Sequence, residues 1–169
     1  YNFMYVGTID RCATCHVGID GPTFSGAGWN LPGKRVFMAH PRLDLFVSDG
    51  SPHPKGKFGC TVCHQGRGQA VEFPRTFHVP TADKDETLEQ KTERWIADYG
   101  YDEHRHYWDF PMVPTDKLYS ACFQCHQQTD RIQGVPEYNR SRQLVEDLGC
   151  YGCHKIDGMQ HLRKPGPDL

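Results

Sequence analysis

The sequence is short of aliphatic side chains. Leu, Ile, Val and Phe together number 33 of 169 residues, a fraction that borders on that of disordered chains. No apolar run approaches the roughly 20 residues that a membrane-spanning helix requires, so no transmembrane segment of that kind is expected. A basic excess is missing too: the formal net charge is -2, which gives no footing for nucleic acid. Nor is there a large charge of either sign to keep the chain open. With 9 Phe, 8 Tyr, 3 Trp and 17 Gly, it is a chain that must find its core in something other than aliphatics.

The eight Cys leave no remainder. They form four pairs with two residues between partners, and each pair is followed at once by His: Cys12-Ala13-Thr14-Cys15-His16, Cys60-Thr61-Val62-Cys63-His64, Cys122-Phe123-Gln124-Cys125-His126 and Cys150-Tyr151-Gly152-Cys153-His154. This is the attachment signature of c-type haem, in which the thiols become thioethers and the His is the proximal iron ligand. Two four-Cys zinc sites would use the same thiols but need no His after each pair. A disulfide scaffold also leaves the His unexplained. With 10 His in the chain, four such followers arise by chance on the order of once in 100,000. The sequence therefore implies four covalently attached haem c groups, whose porphyrins supply the missing apolar core, approached closely by Gly-rich backbone. The chain without haem is expected to fold poorly.

The first Cys of each motif lies 48, 62 and 28 residues from the next, so there is no regular repeat. Residues 17–59 are rich in Gly and Pro and read as turns. A helix is expected over 84–99, with Asp83 and Glu86 as a capping box, an apolar stripe of Leu88, Trp95, Ile96 and Tyr99, and Gly100 as its stop. A second helix should start near Thr115 and run into the third motif, with Leu118, Cys122 and Cys125 on one face. A third should run from about Arg140 to Leu148, with Leu144, Val145 and Leu148 inward, and stop at Gly149. Strand signals are weak. The fold class expected is mainly α with much irregular loop, a multihaem cytochrome c whose haems form most of the core.

The runs His40-Pro41-Arg42-Leu43-Asp44-Leu45, Ser51-Pro52-His53-Pro54 and Phe58-Gly59-Cys60-Thr61-Val62-Cys63-His64, with His106 ahead of Pro111-Met112, resemble multihaem cytochromes of bacterial respiratory chains. That resemblance covers most of the chain. It implies periplasmic electron transfer beside membrane quinone-oxidising or terminal-oxidase machinery. Residues 140–169, a helix followed by the fourth motif and Gly166-Pro167-Asp168-Leu169, resemble the first half of a class I cytochrome c domain. This second resemblance implies that the Pro167 carbonyl orients His154, and that a distal Met would come from sequence beyond Leu169. The expected division is thus a trihaem region, 1–139, and a fourth haem motif, 140–169.

Beyond the proximal ligands His16, His64, His126 and His154, six His remain. His40 and His53 each precede Pro, and His78 stands two residues before Pro80. Pro stiffens a loop that presents a ligand. His40, His53, His78 and His106 are the expected distal ligands, ahead of His104 and His161. Met112 is the best Met candidate, ahead of Met159 and Met4, with core packing the plainer role for it. Trp29, Trp95 and Trp108 are expected against haem faces. The fourth iron is expected to take its sixth ligand from His106, from beyond Leu169 or from a partner, not from His40, His53 or His78.

Because haem c is attached outside the cytoplasmic membrane, the chain is expected on the periplasmic or extracellular face of a bacterial membrane, with Tyr1 downstream of an export signal. The function expected is electron transfer through closely packed haems. Expected partners are redox proteins, a membrane-bound respiratory complex or other cytochromes. The alternative is a multihaem reductase or oxidase, with one open iron acting on a small nitrogen or sulfur substrate. A module of a larger assembly is a third reading, compatible with the first.

Overall fold

The computed structural model describes residues 2–3, 6–7, 10–31, 33–80, 85–104 and 111–162. His106, Trp108, Met4, Asp83 and the Gly166-Pro167 turn lie outside these residues. The chain divides into two compact units, Tyr1–Thr115 and Asp116–Leu169. The division falls ahead of the third motif, whereas the sequence suggested 139/140.

In the first unit the regular elements are short. Two-residue strands β1 (Asn2–Phe3) and β2 (Val6–Gly7) pair antiparallel. β3 (Phe46–Val47) and β4 (His53–Pro54) pair parallel, Phe46 opposite His53. The helices α1 (Cys12–Cys15), α2 (Lys55–Phe58) and α3 (Thr61–His64) are single turns. Between them the Pro- and Gly-rich chain makes turns and 3₁₀ turns at Pro22–Phe24, Arg35–Phe37 and Phe73–Arg75.

Among the described residues the one long helix of this unit is α4 (Leu88–Tyr99). It starts four residues later than expected. Thr87, not Asp83, is the N-cap: its side chain accepts from Gln90 N–H, and the Gln90 side chain accepts from Thr87 N–H, closing a capping box. Glu86 is engaged instead by Arg94, which donates to both its oxygens at 3.0 and 3.1 Å. Gly100 ends the helix as expected, with φ of 64°. The expected stripe does not pack inward as a whole. Leu88, Ile96 and Tyr99 are 56%, 40% and 43% exposed, while Lys91 is buried. Trp95 and Tyr99 turn toward Phe73, with ring centroids 5.0 and 4.4 Å away.

In the second unit, Thr115–Gln124 approaches the third motif as tight 3₁₀ turns rather than an α-helix. α5 (Pro136–Asp147) begins with Pro at its first turn, four residues earlier than expected. Its inner face is Tyr138 and Arg142, both buried, while Leu144 and Leu148 are 55% and 70% exposed. The Tyr138 hydroxyl donates to the His126 and Thr129 carbonyls at 2.7 and 3.0 Å. Asn139 pairs through both amide atoms with the Ile132 backbone. Arg142 donates to Gln127 O at 3.0 Å and to Gly158 O at 3.4 Å. These bonds tie the loops after the third and fourth motifs to one helix, which is why both motifs fall in one unit. Gly158 (φ 82°) meets Gln127 so closely that a Cβ would stand 1.7 Å from its carbonyl oxygen. Among the described residues no helix is long and apolar enough to cross a membrane.

Candidate functional site

All four Cys-x-x-Cys-His segments close the same turn. The backbone N–H of His16, His64, His126 and His154 donates to the carbonyl of the first Cys of its own motif, in each case at 2.9 Å. One helical turn puts positions i, i+3 and i+4 on one face. Both sulfurs and the imidazole of each motif are therefore presented together. The eight Cys are free thiols. They do not gather in fours: among the described residues the single cluster of metal-ligating type is Asp10, Cys12 and Cys60, which is not a four-Cys zinc site.

That cluster joins the first two motifs. Asp10 Oδ1 accepts from the Cys12 N–H at 3.2 Å. Its Oδ2 accepts from the N–H groups of Cys60 and Thr61 at 2.7 and 3.0 Å, and from the Thr61 hydroxyl at 3.3 Å. Burial raises the Asp10 pKa, but the N–H of Thr61 and the bonds from Cys12 and Cys60 outweigh it and hold the carboxyl below its ordinary value. Arg11 N–H donates to Gly68 O at 2.7 Å, a second tie between the two segments.

Four imidazoles of the first unit come together in two pairs. His16 and His78 have ring centroids 6.3 Å apart, and so do His40 and His64. Each pair joins one motif His to one His from outside the motifs. Burial is the first cause lowering the pKa of all four. His40 and His78 fall to about 4, helped by His64 and His16 respectively. All four rings are thus neutral near pH 7, the form in which imidazole ligates a metal.

Second partners orient these rings. His16 bonds the Val36 carbonyl, and Gly18 lets that loop approach, since a Cβ there would lie 2.0 Å from the Phe37 carbonyl oxygen. His78 stacks on Phe73 at 4.4 Å and 8°. Its Nδ1 meets the Thr76 hydroxyl, which itself donates to Phe73 O at 2.6 Å. A hydroxyl has one proton, so toward His78 it accepts, and Nδ1 carries the ring proton. Nε2 is then left as the ligating nitrogen. His40 Nδ1 accepts the Arg42 N–H at 3.2 Å. Metal binding at Nε2 would move the ring proton to Nδ1 and displace that long bond.

His53 lies between Phe46 and Phe58, at centroid distances of 5.3 and 5.1 Å. Its Nδ1 faces Leu45 O at 3.1 Å. A carbonyl only accepts, so Nδ1 of His53 carries the ring proton. In the second unit His126 is half-buried, with Nδ1 3.5 Å from the Thr129 hydroxyl. His154 is exposed. His104 and His161 are exposed, and His104 sits 3.5 Å from Glu103. Met112 packs on Gly66, its Cγ 2.5 Å from where a Cβ would be, and Met159 is buried. Trp29 lies edge-on to Phe24, and Trp95 supports Phe73 beneath His78. Sequence reasoning passed over Asp10, Thr76, Tyr138 and Arg142. Only Asp10 carried a signal, an N-cap residue type two positions before a motif.

The polypeptide alone makes a thin core. Its buried apolar side chains, among the described residues, are Ala39, Pro80, Ala121, Val135, Tyr138 and Met159. A chain that buries so few apolar side chains, beside four Cys-x-x-Cys-His turns, fits large apolar prosthetic groups. Comparison with protein-family models, with curated proteins and with solved structures finds no match to this chain.

Proposed function

We propose that this chain is a c-type cytochrome with four covalently attached haems, and that it carries electrons rather than catalysing a reaction. One observation carries the reading. Two imidazoles that both reached one metal ion, each nitrogen about 2.0 Å from it, would keep their ring centroids within about 6 Å of each other. The His16–His78 and His40–His64 pairs both measure 6.3 Å.

Haem, when bound, supplies reversible one-electron exchange at its iron. Cys12 and Cys15, Cys60 and Cys63, Cys122 and Cys125, and Cys150 and Cys153 would hold the four groups. His16 with His78 and His64 with His40 would ligate the first two irons. His126 and His154 are the proximal ligands of the other two, with His53 and His106 as the remaining distal candidates. Irons each held by two imidazoles would offer no position to a substrate, which favours electron transfer over catalysis. The thin apolar core and the buried, neutral imidazoles support the same reading. The protein would act on the periplasmic or extracellular face of a bacterial membrane, exchanging electrons with redox proteins, a respiratory complex or other cytochromes.

The rival reading, a reductase or oxidase with one open iron, has its foothold at His154, which is exposed. Intact mass and electron paramagnetic resonance of the holoprotein test both. The carrier requires a mass increase of four haems and low-spin ferric signals throughout. Fewer haems overturn the count, and a high-spin signal that responds to added nitrite or sulfite overturns the carrier reading.

A further inference from the structure

We infer that Asp10 is a clasp that fixes the first and second haem-attachment turns against each other. The inference rests on the proposed haem reading for its consequence but not for its geometry. The two carboxylate oxygens divide their work by motif. Oδ1 takes the N–H of Cys12, at the start of α1. Oδ2 takes the N–H of Cys60, the N–H of Thr61 and the hydroxyl of Thr61, at the start of α3. These are N–H groups that open a helical turn and have no partner inside it. A carboxylate offers two acceptor atoms, and here each atom serves a different helix 50 residues away from or adjacent to Asp10 itself.

Asp10, Cys12 and Cys60 present their side-chain atoms within 4.8 Å of one another. The first sulfur of each motif therefore stands beside the other. In the haem-loaded protein these sulfurs are the covalent anchors of two macrocycles, so the clasp sets how those two groups face each other. That makes Asp10 a positioning residue for electron exchange between the first and second haems, acting through the two backbone turns. Its charge, in contact with both attachment turns, also bears on both potentials.

The sharp variant is Asp10→Asn, which keeps the size but has one acceptor oxygen, so it can hold one motif and not both. Thr61→Ala removes a single donor on the second motif's side and serves if the first variant fails to fold. The haem-loaded variants are compared with the parent by amide hydrogen exchange, Soret circular dichroism and a redox titration resolved by haem. Asp10→Asn should speed exchange of the Cys12 amide, or of the Cys60 and Thr61 amides, by at least about tenfold, the equivalent of one charge-assisted hydrogen bond. It should also lose the bisignate Soret signal of neighbouring haems and shift the potentials of the haems on Cys12/Cys15 and Cys60/Cys63, leaving the other two unmoved. Thr61→Ala should speed exchange at the Thr61 side alone. Unchanged exchange in both variants overturns the clasp. Faster exchange with unchanged Soret signal and potentials overturns its role in positioning haems. A parent protein without haem on these Cys would overturn the cytochrome reading instead, while the amide measurement would still judge the clasp.

Discussion

The Thr76 hydroxyl gives its proton to the Phe73 carbonyl and so can only accept from His78 Nδ1. That order fixes the tautomer of His78 and leaves Nε2 as the nitrogen for the ligating role proposed for it with His16. An acceptor on the far nitrogen makes a ligating imidazole more basic. Thr76→Val, similar in shape but without the oxygen, should therefore raise the potential of the haem on Cys12 and Cys15. His78→Met should raise it further, since thioether favours ferrous iron more than imidazole does. The other three haems should keep their potentials in both variants. A redox titration with each haem resolved checks this, and an effect on the haem of Cys60 and Cys63 alone would reverse the assignment.

The companion pair makes the complementary prediction. His40 and His64 share the 6.3 Å separation, so His40→Ala should open the iron on Cys60 and Cys63. One haem in four should become high-spin, detected by electron paramagnetic resonance, with the haem on Cys12 and Cys15 still low-spin. If His40→Ala changes the first haem, the pairing is wrong.

The sequence made the four motifs legible because attachment chemistry demands a fixed local spacing, and the 2.9 Å bond from each motif His to its first Cys is local too. The stop at Gly100 was readable for the same reason, through its left-handed conformation. The pairing of His78 with His16 and of His40 with His64 was not readable, because it depends on loops of 62 and 24 residues whose paths no periodicity describes. Amphipathic reasoning also misplaced two inner faces. It sent Leu144 and Leu148 inward, yet Arg142 is buried in their place because its guanidinium satisfies carbonyls at Gln127 and Gly158 that have no other helix to serve them. Aliphatic stripes mark an interior only where the interior is polypeptide. Here the apolar bulk is expected from elsewhere.

That last point predicts the behaviour of the chain without haem. Among the described residues the buried apolar side chains are few and mostly small, Ala39, Pro80, Ala121 and Val135 with Tyr138 and Met159, and they cannot offset a backbone entropy cost of about 1–2 kcal/mol per residue. Replacing all eight Cys by Ser, or producing the chain where haem is not attached, should give no cooperative thermal transition by circular dichroism. A sharp transition in the haem-free chain would count against haems as the core.

Arg142 tests the second unit by itself. Its side chain is 3% exposed and its Nε lies 3.4 Å from a Glu146 carboxylate oxygen without hydrogen-bond geometry. Its partner Asp130 is 77% exposed, so that ion pair contributes little. The carbonyl bonds to Gln127 and Gly158 are what matter. Arg142→Lys cannot reproduce a planar fork with donors on two sides. It should destabilise the unit by about 3 kcal/mol, the low end for the loss of two hydrogen bonds from a charged donor, one of them long. The expected readout is faster amide exchange across residues 126–132 in the holoprotein, with the first unit unaffected. Parent-like exchange there would show that the carbonyls find water at no cost.

Asp10 gives the pH dependence. Burial raises its pKa, but bonds from Thr61, Cys12 and Cys60 prevail, so the folded carboxyl ionises below the ordinary 3.8. A carboxyl depressed in the folded state contributes stability that is fully present above its unfolded pKa and is lost as pH falls through its folded pKa. Asp10→Asn has no such proton to bind. At pH 7 the parent should therefore be more stable than the variant. The difference should hold down to the ordinary carboxylate range and then close as the medium becomes more acid, because protonated Asp10, like Asn, no longer offers two charged acceptors to the two turns. Chemical denaturation of the haem-loaded proteins, repeated across this range, checks the sign. A stability difference that widens on acidification, or that is the same at every pH, would mean that the Asp10 charge does not hold the two motifs.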